Sequence, residues 1–326
     1  MKHSRGEAGQ GKPQFSQASA CGKVIVVGEH AAVYGAPAIA IPLGSTRMQA
    51  SLLPSRDSGA PLQIYLGGRP APKALFPLIS KAFALLELEP FSAVIRGQSQ
   101  IRAGAGLGSS AALCVVLLRL LCSSVGRELD SATLATLANE LEKHFHGTPS
   151  GLDTSVVAFE RVICFQKHEP AAPNSFRLLS AKPLTVSGEP SPWRFALIDS
   201  LEHSPTFQMI EKVRPKFQGE AGKKRVRTFA RLAAQVEQGF ATGDGAEVAA
   251  AMNHASSLLA SCGVVTPTMA QIIAEAAQIG VLAAKPTGAG GGGNILVLLA
   301  VEHGGAQLEA LNRRFRGHPV VAVNLS

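Results

Sequence analysis

The chain begins polar. Residues 1–17 are rich in Gly, Gln, Ser and Lys and hold no apolar stretch, which predicts a disordered tail and argues against a secretion signal. The first apolar run, Lys23-Val24-Ile25-Val26-Val27, has the β-branched content of a strand and stops at Gly28-Glu29-His30. A second run, Ala36 to Pro42, reads as its paired strand. Residues 46–53 and 62–66 read as further strands, parted by the turn-forming stretch Pro54 to Pro61. Positions 74–88 change to helical spacing, and Phe91 to Ile101 returns to a strand.

That strand runs into Ala103-Gly104-Ala105-Gly106-Leu107-Gly108-Ser109-Ser110. The following AALCVVLLRLLCSS is apolar nearly all round, the pattern of a buried helix. Arg119 interrupts it, and it is too short to span a bilayer. Asp130 or Ser131 can cap a helix through about His144, which Gly147-Thr148-Pro149-Ser150-Gly151 breaks. Residues 154–165 and 193–199 read as strands. Proline-rich stretches at 169–173 and 183–192 mark loops and place a boundary near 185–195, giving a first unit of 18–190 and a second of 191–326. The second unit holds helices at about 204–217, 223–240, 245–260 and 267–279. A strand, Ile295 to Ala300, follows the glycine run 288–293.

Composition agrees with a folded chain in two units: 326 residues, 46% hydrophobic and 17% charged. The net charge of +8 favours anionic partners. The most basic stretch, Gly222 to Arg231, is no dense stripe of Lys and Arg interleaved with aromatics and reads as a solvated helix face, so small anions explain the charge at least as well as nucleic acid. The five cysteines form no C-x-x-C pair and their count is odd, which argues against a disulfide framework or a zinc site and suits a reducing cytoplasm.

Four segments carry candidate chemistry. In Gly104 to Ala112, glycines admit close approach of backbone N–H groups to an anion, and the helix starting near Ser109 adds its positive end. No G-K-[ST] follows, so it is not a Walker A loop, and G-x-G-x-x-G is absent too. A plain tight turn is the competing reading. Asp153 follows the rigid turn His146 to Ser150, which can hold a carboxylate as a proton acceptor. Glu142, eleven residues earlier, is unfavourable at the negative end of its helix unless a cation is near, either Mg²⁺ or Lys143. Lys23 opens an apolar strand, where a charge asks for a partner, and a strand edge in water is the alternative. His30 reads either as a site residue or as a packed loop histidine. Lys285 to Asn294 contains so many glycines that a close backbone approach or a flexible linker must account for them.

Together these segments resemble the GHMP kinase superfamily. All three of its motifs occur in order within residues 19–300: ACGKVIVVGEHAAVYGAPAIA, GAGLGSSAA with HGTPSGLD, and KPTGAGGGG. The first, HGTPSGLD and the last look like the mevalonate kinase branch. The resemblance implies a two-domain α+β fold, an N-terminal mixed α/β domain and a C-terminal ferredoxin-like domain, with the active site in the cleft. It implies phosphorylation of the C5 hydroxyl of mevalonate with ATP and Mg²⁺. Other acceptors (phosphomevalonate, a sugar, another mevalonate hydroxyl) and a non-catalytic nucleotide sensor are the alternatives. By resemblance, Asp153 is the catalytic aspartate and Lys23 its partner. Gly104, Ala105, Gly106, Leu107, Gly108, Ser109, Ser110 and Ala111 wrap the phosphates, and Ser110 and Glu142 ligate Mg²⁺. Lys23, Glu29, His30, Asp153 and Thr206 line the acceptor pocket, and Gly288, Ala289 and Gly290 close over it. The chain departs from the family in having Arg102-Ala103 where a proline is usual, and in Pro205 before Thr206. No membrane or nucleic-acid partner is expected, and a homodimer is left open.

Overall fold

The computed structural model describes residues 13–57, 61–147, 149–168, 174–186 and 189–325. Most of the expected tail, the 169–173 loop and Thr148 lie outside them. The N-terminal half forms a seven-stranded sheet from β1 (Ser16–Val27), β2 (Ala38–Pro54), β3 (Gln63–Leu66), β4 (Arg69–Pro70), β5 (Ala93–Ser99), β6 (Ile163–Gln166) and β7 (Ser175–Leu178). Their order is β4-β3-β5-β2-β6-β7, with β1 paired to β2. Helices α1 (Phe76–Leu85), α2 (Ser109–Ser124), α3 (Ser131–His146) and α4 (Leu152–Phe159) belong to this half. A hairpin of β8 (Leu184–Val186) and β9 (Glu189–Ser191) follows.

The second sheet contains β10 (Trp193–Asp199), β11 (Ala283–Pro286), β12 (Asn294–Leu298) and β13 (Val320–Leu325), in the order β11-β12-β10-β13 and antiparallel throughout. Helices α5 (Thr206–Val213), α6 (Gly219–Thr242), α7 (Gly245–Ser261) and α8 (Pro267–Gln278) connect β10 to β11, and α9 (Gly304–Arg314) connects β12 to β13. This is the ferredoxin-like β-α-β-β-α-β arrangement. Alternation along β10 sends Trp193, Phe195 and Leu197 into the main core with α6 and α7. Ala196 and Ile198 go to a second cluster with Met269, Ile272 and Phe315. The main core is continuous from the first sheet into the second. All five cysteines are free and buried in it or beside it. Among the described residues, no helix is long and apolar enough to cross a membrane.

Several elements differ from the sequence reading, among them the stretch 183–192, which holds the β8–β9 hairpin rather than a loop. The first strand starts at Ser16, seven residues before Lys23, so residues 16 and 17 are paired chain rather than tail. The runs 36–42 and 46–53 join into one strand, β2. Its pairing with β1 skips residues 44–46 between Leu43 and Arg47, and this bulge carries the strand through a polar stretch that the sequence shows as a gap. Residues 154–165 are not one strand: α4 covers their start and β6 their end. Leu152, Val156 and Phe159 share one face at helical spacing and pack with Ala38, Ala40, Ile163 and Phe165. A short apolar run fits either period, and here helical packing decides.

Candidate active site

The site is built on β1. Lys23 donates its backbone N–H to the Leu107 carbonyl (2.9 Å), which fastens the glycine loop before α2 onto the strand. The Lys23 side chain then crosses Gly108: a Cβ there would lie 2.8 Å from Lys23 Cγ, and the φ of +75° is itself one that glycine favours. Gly104 and Gly106 share that φ, while Ala105 and Leu107 between them are buried and anchor the loop. Asn294 Nδ2 donates to the Ala105 carbonyl (3.0 Å), tying the loop to the second sheet. Among the described residues, no side chain caps the N-terminus of α2, so its first N–H groups and its positive dipole end are available to an anion. Ser109 and Ser110 are half-buried at that end, and Ala111 is buried behind them.

Asp153 lies in the first turn of α4 rather than in a loop. Gly151, at φ +90°, turns the chain into this helix. The carboxylate therefore sits at a favourable, positive helix end. Lys23 Nζ meets Asp153 Oδ1 at 3.1 Å, with the two side chains 5% and 33% exposed. The amine is sheltered and the acid opens to solvent, as a group that must reach a substrate requires.

Beside this pair, Ser110 Oγ donates to Glu142 Oε1 (2.8 Å). Burial, and then the neighbouring charge of Asp153, push the Glu142 carboxyl up to about 7; the Ser110 hydrogen bond and Lys23 offset only part of this. A hard divalent cation prefers such oxygen donors and would relieve the crowding of two carboxylates, so Ser110 and Glu142 fit a Mg²⁺ site. His146 Nε2 lies 3.2 Å from Ser110 Oγ. Sequence reasoning placed His146 only in a turn. Its position four residues after Glu142 on α3 was the available signal.

The third glycine run approaches the protein's own backbone closely. Gly291 N–H donates to the Val264 carbonyl and Gly293 N–H to the Glu202 carbonyl, each at 2.7 Å. It also faces the first loop: a Cβ on Gly106 would lie 3.8 Å from Gly288 Cα. His30, at φ +58°, places Nε2 2.9 Å from the Ala289 carbonyl, and burial lowers its pKa, so the neutral ring donates that bond. Glu29 is buried and accepts from Lys285, a partner that sequence reasoning missed. A lysine inside the short apolar strand Ala283–Pro286 was the signal. Thr206 is exposed at the start of α5. Ser204, two residues earlier, is the side chain that reaches the third loop, donating to the Gly291 carbonyl at 2.7 Å.

Comparisons with known proteins bear on the family and the fold. The GHMP kinases N terminal domain matches residues 77–161, and the GHMP kinases C terminal domain matches residues 236–316. A mevalonate kinase of Aeropyrum pernix is 29% identical over 301 residues, covering 87% of this chain and 88% of that protein. One from Thermococcus sibiricus is 28% identical over 310 residues, covering 86% and 88%. L. major mevalonate kinase in complex with R-mevalonate has the same fold, with a TM-score of 0.79 at 18% identity over 97% of this chain and 98% of that one. So does Streptococcus pneumoniae phosphomevalonate kinase in complex with phosphomevalonate and AMPPNP, at 0.77 and 19% identity over 95% and 100%. The two matched domains contain the α2 loop, Glu142, Asp153 and the third glycine run, and the chain belongs to the GHMP kinase family.

Proposed function

We propose that the protein transfers the γ-phosphoryl group of ATP to the C5 hydroxyl of mevalonate, giving 5-phosphomevalonate and ADP. The observation that carries this reading is the Lys23–Asp153 pair beside the uncapped N-terminus of α2. Phosphoryl transfer demands alignment and charge neutralisation more than covalent chemistry. The α2 loop offers N–H donors to the phosphates. Asp153 orients the acceptor hydroxyl and takes its proton, while Lys23 fixes the carboxylate and offsets negative charge at the transferred group. Ser110 and Glu142 would hold Mg²⁺, which neutralises triphosphate charge when bound. The choice of acceptor rests on the curated relatives, which are named mevalonate kinases and match most of the chain.

The test is incubation of the purified protein with ATP, Mg²⁺ and separate acceptors: mevalonate, phosphomevalonate and galactose. Phosphorus NMR then locates the new ester. A phosphate on the C5 oxygen of mevalonate is expected. Turnover only with another acceptor would overturn the substrate, and ATP binding without turnover on any would overturn the kinase reading in favour of a nucleotide sensor.

A further inference from the structure

Helix α4 is eight residues long, with Asp153 in its first turn and Glu160 immediately after its last residue. Glu160 adopts φ +50°, a left-handed conformation that helix ends normally give to glycine because a side chain is strained there. What holds it is a pair of guanidinium groups. Arg47 grips the carboxylate with both nitrogens, Nη1 to Oε2 at 2.8 Å and Nη2 to Oε1 at 2.9 Å. Arg119 Nη1 donates to Oε1 at 2.9 Å. Arg119 also donates to the carbonyls of Ser19 (2.6 Å) and Ala158 (3.1 Å), and Arg47 to Ser19 Oγ (3.1 Å). Burial pushes the Glu160 carboxyl up, but the hydrogen bonds from Arg47 and Arg119 outweigh it and hold the group below the usual carboxylate range.

One carboxylate thus joins four elements: β1 four residues before Lys23, β2 at its bulge, α2 whose other end is the glycine loop, and α4 itself. This accounts for the charge that interrupts the apolar sequence of α2. We propose that Glu160 is a positioning residue, whose clamp by Arg47 and Arg119 sets the tilt of α4 and so the placement of Asp153 against Lys23. The seven residues from Asp153 to Glu160 span about 10 Å, so a tilt of about ten degrees at the clamp moves the acid by about 2 Å. Displacements of that size are costly to transfer chemistry. The inference rests on the catalytic role of Asp153 proposed above.

The test is Glu160→Gly, which removes the carboxylate while supplying the residue best suited to that backbone. The expected result, read at a temperature where the variant is fully folded, is a kcat lower by about ten- to a hundredfold with KM for ATP unchanged. In the same chain, Arg119→Met adds no further loss, because the two act as one unit. Arg47→Lys, which keeps the charge and loses the fork, lowers kcat in the same direction. Amide exchange over residues 151–156, measured without substrate, rises in Glu160→Gly. That readout supports the clamp even where the wild-type enzyme proves inert toward mevalonate. Unchanged exchange, an unchanged kcat, or a variant that fails to fold would each overturn the proposal, the last by making the role one of stability alone.

Discussion

Lys23 and Lys285 each meet a carboxylate near the end of β1, yet the two pairs are built differently. Lys23 reaches Asp153 across Gly108, and a third of the Asp153 side chain remains exposed. Lys285 reaches Glu29 from β11, and the two side chains are 0% and 1% exposed. The Lys285 ammonium also donates to the Pro286 carbonyl (2.6 Å) and lies 3.5 Å from the Ile25 carbonyl, while Glu29 Oε2 has no hydrogen-bond partner among the described residues. Burial drives Lys285 down and Glu29 up in pKa, against their mutual attraction. In this structure the sealed pair keeps its charges from solvent. It fastens the first motif to the third, at a cost in desolvation that favours precise placement over net stability. The open pair keeps an acid accessible. The same two functional groups serve as a rivet in one place and as the proposed reactive centre in the other, and solvent access separates the two.

The comparison can be broken by removing one partner. Lys285→Met leaves the Glu29 carboxylate buried and alone, and chemical denaturation should show a loss of about 3–5 kcal/mol. Adding Glu29→Gln should recover most of that loss. A Lys285→Met variant as stable as wild type would mean that the pair is not sealed.

Glu142→Gln sharpens the contrast on the open side. Its carboxyl titrates higher in the folded protein, about 7, than the ordinary 4.5. The folded state therefore holds the proton more tightly, and wild type loses stability as pH rises from about 4.5 to about 7. In metal-free protein the neutral variant should be more stable than wild type by up to about 3 kcal/mol at pH 8, with the advantage gone below about pH 4.5. Thermal melts across pH measure this. Mg²⁺ should stabilise wild type more than the variant, and equal responses would remove Glu142 from the proposed metal site.

Much of this arrangement was legible in the sequence where the signal is local. The glycines of the α2 loop, Asp130 as the cap of α3 (accepting from the N–H groups of Ala132 and Thr133) and the lone charge of Lys23 on an apolar strand announce themselves within a few residues. α4 was misread because Val156, Val157, Ala158 and Phe159 give an apolar run with no decisive period, and only packing on Ala38 and Ala40 selects the helix. The Lys285–Glu29 partnership joins residues 256 positions apart, and the grip of Arg47 on Glu160 joins residues 113 apart. No spacing rule reaches that far, so a buried charge signals that a partner exists without identifying it. The bulge in β2 was hidden for a related reason, since Gly44-Ser45-Thr46 reads as a break until β1 pairs on both sides of it.

The most direct test of the reactive pair is Asp153→Asn, which keeps shape and hydrogen bonding while removing the negative charge. Nucleotide affinity, measured by calorimetry, should survive, and single-turnover transfer to the acceptor should slow by at least about a hundredfold, or roughly 2.7 kcal/mol. A variant that transfers phosphate at the wild-type rate would contradict the account, because the carboxylate beside Lys23 would then have no part in the reaction.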